Sequence, residues 1–297
     1  MESNTNGYVV VERIRGKSTI TRCFSKYPLK LINPNKVGSS TNDAVWIYSL
    51  TYGGGIVSGD AISCGVKVGD GCTAVFTTQS STKVYKSVGS KCSEQLLEAS
   101  IGSKALLVFI PDPVTCFSTA KYSQKQIFRL VPDSSLVLVD WITCGRHASG
   151  EKWDFAFYKS TNNIFLEGYQ PLFLDTVLLE QGSISTIARR MQDYLVIAMV
   201  ILIGPQLKQV QNQIQMDVKK MMSDLLYIPS GALGYNSRGS SSQCKPAFIA
   251  SCSAFGPKGI GVVIRISAMT TESVYQFLRR HLSSLEMQLG AVPYHGR

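Results

Sequence analysis

The sequence predicts a mainly β protein, and three observations carry that expectation. From Tyr8 to Asp175, short alternating apolar runs recur about every ten residues, separated by turn-forming residues. Helical spacing of apolar residues is confined to two late stretches, near 205–226 and 271–289. At Tyr52–Asp60, YGGGIVSGD places four glycines in seven residues, which reads as a tight, irregular crossing and not as a strand. Regular short strands of this kind fit a sandwich, a barrel or a β-solenoid, and no strict repeat demands the last.

Taken in order, the first predicted strands are Tyr8–Ile14, Ser18–Phe24 and Ala44–Thr51, followed by the glycine crossing. In Ile62–Val68, Ile62, Cys64, Val66 and Val68 alternate with Ser63, Gly65 and Lys67, the period of a half-buried strand. Gly69-Asp70-Gly71 then turns the chain into Cys72–Thr78. The tract Thr77–Lys83 carries six hydroxyl or amide side chains in seven positions, more hydrogen-bonding capacity than a hairpin end needs. Gln95–Ala99, Ala105–Ile110, Tyr122–Leu130, Leu136–Ile142, Trp153–Tyr158 and Ile164–Glu167 extend the series.

The helices come late. Pro205 suits a first helical turn, and Leu207, Val210, Ile214, Val218, Met221 and Leu225 follow at three- and four-residue steps, an amphipathic helix of about 20 residues. Such a helix either covers one face of the sheets or is presented to a partner. Gly231–Lys245 reads as a polar loop, and Ala247–Cys252 and Ile260–Ile266 as a strand pair joined across Gly256–Gly259. Thr270 or Thr271 caps a second helix carrying Val274, Phe277, Leu278, Leu282, Leu285 and Leu289, and Gly290 ends it. The tail from Ala291 lies past that stop, where a chain end ordinarily frays. No linker divides the 297 residues, so a single domain, 1–297, is expected.

Composition narrows the function. Apolar content of 44% and charged content of 17% belong to a globular chain with a sizeable core. A net charge of +10 suits an acidic partner surface or nucleic acid, but the basic residues are scattered and not interleaved with aromatics. Nucleic acid is therefore not the expected partner. The eight cysteines contain no CxxC pair and read as reduced thiols. The first residues lack the apolar core of a signal peptide, and the longest apolar run, Leu195–Ile203, is far short of the roughly 20 residues that cross a bilayer. A soluble cytoplasmic protein with no membrane partner is expected.

No nucleophile–base constellation is visible. His147, His281 and His295 are far apart, no serine occupies a GxSxG elbow, and HExxH and HxH are absent. A phosphate loop is excluded because the glycines lead to Ser58-Gly59-Asp60 and a strand, and Asp60 would repel phosphate. Three carboxylates are more informative: Asp60 after the glycines, Asp140 at the end of LVLVD, and Glu151 in GRHASGEKW. Each could be a turn cap or half of an ion pair, with Arg146 near enough in sequence to pair with Asp140. Alternatively they line a route for a divalent cation, because oxygen ligands hold such an ion weakly and weak successive sites suit a conduit. A carbohydrate-active enzyme on a β-solenoid scaffold would instead need two carboxylates across a cleft and aromatic platforms, for which Trp46, Trp141 and Trp153 are candidates, all in predicted strands. A basic nucleic-acid scaffold is a third option.

The strings GGGIVSGD and TTQSSTKVYKS, about twenty residues apart, closely resemble the signature of the urease accessory protein D family, and the likeness continues in PDPVTCF and DWITCGRHASGEKW. The resemblance implies two stacked β-sheets of β-helix-like character with a helical appendage. It implies a non-enzymatic urease maturation factor that binds accessory protein F and, through it, recruits the GTPase accessory protein G. Such a protein passes nickel(II) in transit through an internal acid-lined tunnel to apo-urease, with no tightly bound cofactor or metal. Asp60, Asp140 and Glu151 match acidic positions of the family motifs, and Glu167 and Asp175 fall where the pattern is loose. Gly53, Gly54, Gly55, Gly59, Thr77, Thr78, Gln79, Lys83, Tyr85, Gly145, Arg146 and Gly150 match the same motifs and are expected to shape the scaffold. In this family the end of the chain is implicated in docking protein F. Cys144 and His147 form a C-x-x-H pair that the family pattern does not ask for and are read as incidental, and the helix near 205–226 aligns with no motif. PDPVTCF also lacks the family's usual Ile-Pro-Phe.

Overall fold

The computed structural model describes residues 5–34, 42–226 and 245–296, so the loop expected over Gly231–Lys245 lies outside it except for Lys245. In chain order the strands are β1 (Gly7–Ile14), β2 (Lys17–Ser25), β3 (Leu29–Ile32), β4 (Val45–Thr51), β5 (Ala61–Val68), β6 (Thr73–Thr78), β7 (Thr82–Val84), β8 (Ser93–Ile101) and β9 (Leu106–Phe109). They continue as β10 (Val114–Cys116), β11 (Lys121–Leu130), β12 (Ser135–Thr143), β13 (Phe157–Leu166), β14 (Gln170–Glu180), β15 (Val196–Ile203), β16 (Phe248–Phe255) and β17 (Gly261–Ala268). The helices are α1 (Ile187–Met191), α2 (Lys208–Leu226), α3 (Thr271–Leu282) and α4 (Glu286–Leu289).

Two sheets stack. The first is seven-stranded in the order β14-β13-β11-β8-β5-β1-β2, and the second runs β16-β17-β15-β12-β9-β6-β4-β3, with β10 and β7 attached beside β12. From β4 to β13 the chain alternates between sheets and each sheet grows by parallel pairing, as in β5 with β8, β8 with β11, β6 with β9 and β9 with β12. That is solenoid-like winding, closed at the later edges by antiparallel strands. Gly69-Asp70-Gly71 accordingly makes no hairpin: it is a corner that carries the chain from one sheet to the other. Successive corners stack, with Asp70 Oδ1 accepting from Ser103 N at 2.8 Å and Ser103 Oγ donating to Asp133 Oδ2 at 2.7 Å.

Inward residues of both sheets, among them Val66, Ile101, Phe128, Leu138 and Ile164, form one core. A second core lies on the outer face of the second sheet, where Val137, Val200 and Ile264 meet Val210, Ile214 and Val218 of α2 and Val274, Leu278 and Leu282 of α3. The glutamine-rich helix therefore covers a sheet face. Thr270 caps α3 by accepting from Ser273 N at 3.2 Å, and Gly290, left-handed at φ 82°, ends α4. The run Leu195–Ile203 holds β15, a strand buried on both faces, which is why it reads as continuously apolar. No helix among the described residues is long and apolar enough to cross a membrane.

Other expectations need correction. Trp153–Tyr158 is not a strand: Trp153 sits in a loop at φ 59°, and the strand that follows runs Phe157–Leu166, absorbing most of the predicted Ile164–Glu167. Trp153 and Phe155 are apolar because they fill the core, not because they alternate along a strand. Strands β3, β7, β10, β14 and β15 and helix α1 add to the elements that the sequence pattern predicts. The C-terminal tail is not frayed. Tyr294 is buried, packs edge-on to Trp141 and Tyr275, and donates its hydroxyl to Pro111 O at 2.9 Å.

Candidate functional site: a polar layer between the sheets

Between apolar layers above and below, the inner faces of the two sheets carry a layer of polar side chains. On β11, Tyr122, Phe128 and Leu130 point into the core, and strand period 2 makes Gln124 and Gln126 point the same way. The parallel register places Ser160 beside Gln124 and Asn162 beside Gln126, and the antiparallel pairing places Asp175 of β14 beside Asn162. Gln95 of β8 lies on the other side of Gln124. The second sheet contributes Asp140, which falls among Leu136, Leu138 and Ile142 on the inward side of β12.

Asp140 is buried, and among the described residues no cation enters its hydrogen-bond set. Its Oδ1 accepts from Gln124 Nε2 at 2.8 Å, and its Oδ2 accepts from Ser160 Oγ at 2.6 Å and Asn162 Nδ2 at 2.7 Å. Burial raises its carboxyl above the ordinary range, the three donors pull it down, and the negative charge of Asp175 adds to the rise. Tyr122 and Tyr158, buried nearby, are also pushed up, first by burial and further by the Asp140 charge. Among the described residues, three buried oxygens of this layer have no hydrogen-bond partner within the protein: Gln126 Oε1, Asn162 Oδ1 and Asp175 Oδ2. They belong to side chains in register on three adjacent strands. Buried acceptors are nearly always satisfied by protein or by ordered water, and the one other oxygen of this kind among the described residues, Gln211 Oε1, lies apart on α2.

The layer borders three cavities that share lining residues. A cavity of about 460 Å³ at the β14–β17 side is lined by Asp140, Tyr158, Asp175, Met199 and Arg265. A small central one, about 40 Å³, is lined by Thr78, Gln95, Asp112, Gln124, Gln126 and Asp140. The third, about 160 Å³, lies at the Thr78–Thr82 tract and includes Ser49, Gln79 and Gln95. Asp112 is a second buried carboxylate on this line, accepting from Tyr275 Oη at 2.8 Å and from Thr78 Oγ1 at 3.4 Å.

Asp60 and Glu151 line none of these cavities. Asp60 closes the glycine turn, its Oδ2 accepting from Val57 N at 2.9 Å. Glu151 is paired with Arg146, which donates from Nε at 3.1 Å and also from Nη2, and whose guanidinium carbon lies 4.1 Å from the centre of the Phe117 ring. Hydrogen bonding from Arg146 holds the Glu151 carboxyl below its usual range. Arg146 thus pairs with Glu151, and amide and hydroxyl groups hold Asp140. Glu167 occupies a turn after β13.

The scaffold motif is local machinery. Gly53 has φ 75°, and a Cβ on Gly55 would meet the Tyr85 ring at 2.8 Å and Lys83 O at 2.9 Å. Tyr85 donates its hydroxyl to Gly53 O at 3.1 Å, and Ile56 N donates to Lys83 O at 2.8 Å, so TKVY clamps GGGI. Thr77 donates to Ile110 O at 2.7 Å, and Thr78 Oγ1 accepts from Asp112 N at 2.8 Å. Gly54 shares the 3-10 turn of Gly53, Gly59 sits in the following Val57–Asp60 turn, and Gly145 and Gly150 bracket the Arg146 turn.

Cys144 is buried with its thiol pushed up to about 11 by burial, while His147 is exposed. Among the described residues no three His, Cys, Asp or Glu side chains gather into a metal cluster, and the seven described cysteines are free thiols. The indole N–H groups of Trp46, Trp141 and Trp153 donate to Leu289 O, Pro111 O and Tyr194 O at 2.8–2.9 Å, and all three rings are buried. None is available as a sugar platform.

The chain is thus a solenoid-like double sheet with a buried, oxygen-rich layer between the sheets. Residues 5–296 match the family model described as UreD urease accessory protein. Urease accessory protein D of Arabidopsis thaliana is 66% identical over 290 residues, covering 97% of this chain and 99% of the relative. The Oryza sativa subsp. indica protein of that name is 61% identical, covering 97% and 94%. Urease accessory protein UreD of Anaeromyxobacter sp. (strain Fw109-5) is 31% identical over 288 residues, covering 97% and 88%. The chain belongs to the urease accessory protein D family. Membership gives it an accessory role in urease maturation.

Proposed function

We infer that this protein conducts nickel(II) to apo-urease through the polar layer between its sheets, as a non-enzymatic scaffold assembled with accessory proteins F and G. The observation that carries the reading is the row Gln126 Oε1, Asn162 Oδ1 and Asp175 Oδ2, three buried acceptors beside the Asp140 carboxylate. A hydrated divalent cation answers all of them, its charge compensating the carboxylates and its waters donating to the amide oxygens. The donor set is oxygen only, with no imidazole or thiolate, so the ion is held weakly and leaves as readily as it enters. The route runs from the Thr78–Thr82 end past Asp112 and Asp140 to Asp175, along the three cavities. Asp60 and Glu151 act on the scaffold that frames this route.

GTP hydrolysis belongs to protein G, since this chain has no phosphate loop. The excess positive charge, +10, suits acidic faces of the partners and speeds encounter more than it tightens binding. The test is activation of apo-urease with nickel, bicarbonate, GTP and proteins F and G, with and without this chain. Activation that requires the chain supports the reading. Equal activation without it, in a system shown competent, removes it.

A further inference from the structure

We propose that Arg265 is a tethered cation that holds Asp175 when the polar layer carries no metal and gives it up when a divalent cation passes, and so sets how readily ions enter from that side. The proposal rests on the metal route inferred above and assigns its control to one residue. Arg265 lies on β17 of the second sheet, two strands from Asp140, with Met199 of β15 in register between them. Its Nη2 donates to Asp175 Oδ1 at 2.8 Å, across the gap to β14 of the first sheet. The two ends of this pair differ sharply: the Asp175 side chain is 15% exposed and that of Arg265 is 53% exposed.

Three features favour a displaceable cation over a fixed strut. The contact is a single hydrogen bond, whereas a guanidinium seated permanently on a carboxylate commonly engages both oxygens. The second oxygen, Asp175 Oδ2, is buried and unpartnered, in the row that includes Asn162 Oδ1 and Gln126 Oε1. One carboxylate therefore presents one oxygen to the arginine and leaves the other for the layer. Finally, the guanidinium borders the cavity that Asp140 and Asp175 also line, and its exposed half leaves it a solvated alternative position. While docked, its charge opposes any second cation at Asp175; once released, the carboxylate is available to a metal. A monovalent side chain in this place also favours divalent over monovalent ions, which compete less well for the same carboxylate.

The test is equilibrium dialysis of the full chain against ⁶³Ni²⁺. Arg265→Gln keeps a hydrogen-bond donor for Asp175 but removes the charge, and is expected to bind nickel about tenfold more tightly, the effect of a half-screened neighbouring charge. Arg265→Lys should stay near wild type, and Asp175→Asn and Asp140→Asn should bind more weakly. Circular dichroism on each variant confirms the fold is retained. If Arg265→Gln binds no more tightly than wild type while Asp140→Asn weakens binding, Arg265 is a strut and the proposal is overturned. If Arg265→Gln and Asp140→Asn both leave binding unchanged, the metal route falls with it.

Discussion

Asn162 donates its Nδ2 hydrogen to Asp140 Oδ2 at 2.7 Å across the space between the sheets, while its own Oδ1 is left without a partner. One side chain thus steadies the buried carboxylate and contributes an unsatisfied oxygen to the row beside it. Asn162→Ala removes a donor to a charged group and should cost about 1–3 kcal/mol of stability. Urea unfolding measures it, and an unchanged midpoint at unchanged slope would show that Asp140 does not depend on this bond.

Asp140 also sets a pH dependence. Its folded pKa is raised above the unfolded carboxylate value, so within that window the native state binds more protons than the unfolded one and stability falls as pH rises. The contribution is fully present below the unfolded value and is lost as pH climbs through the folded one. Thermal melts of wild type and Asp140→Asn across this range should show the wild-type Tm losing ground against the variant with increasing pH. A constant difference would contradict the burial of a titrating carboxylate. Nickel uptake should run the opposite way, rising with pH as the ligand deprotonates.

Gly55→Ala places a methyl group against the Tyr85 ring and Lys83 O, both under 3.0 Å from the ideal Cβ, and should destabilise the chain by about 1–3 kcal/mol. The backbone carbonyl cannot move without breaking its bond to Ile56 N. Tyr85→Phe, which loses only the hydroxyl bond to Gly53 O, should cost about 1 kcal/mol. A Gly55→Ala protein as stable as wild type would mean the clamp between GGGI and TKVY has slack.

Asp60→Ala should lower stability by about 1 kcal/mol through loss of the Val57 N–H cap, with nickel binding per folded molecule unchanged. Glu151→Gln should weaken the Arg146 turn in the same way. Because the Glu151 carboxyl is held below its usual range, its contribution is present above the unfolded carboxylate value and is lost as pH falls through the folded one. Nickel dialysis separates the roles: a loss of binding in either variant, at full folding, would return these carboxylates to the route.

Much of this was legible in the chain. Period-2 alternation located β5, and the 3.6 period located α2 and α3 with their buried faces. Family motifs pointed to Asp140, and a looser pattern to Asp175. The layer itself was not legible, because Gln124, Gln126, Ser160 and Asn162 sit in strands whose outward positions are polar too, as in KYSQKQ and YKSTNN. The available signal was parity: Tyr122 and Phe128, an even number of residues away, fix which side of β11 faces in. Asp112 within PDPVTCF carries no local sign of burial, because Thr78 and Tyr275, which hydrogen-bond to it, are distant in sequence. Corner stacking hid as well. GDGCTAVF, GSKALLVF and VPDSSLVL occupy equivalent places on successive turns with little identity, because only the corner geometry and the inward apolar positions are shared.

The most direct measurement is activation of apo-urease by the complex of this chain with proteins F and G, comparing wild type with Asp140→Ala at equal recovery of the intact complex. Full partner binding with activation reduced several-fold is predicted, and Asp60→Ala and Glu151→Gln should activate near wild type once corrected for folded protein. An Asp140→Ala complex that activates urease as well as wild type would contradict passage of nickel through the layer between the sheets.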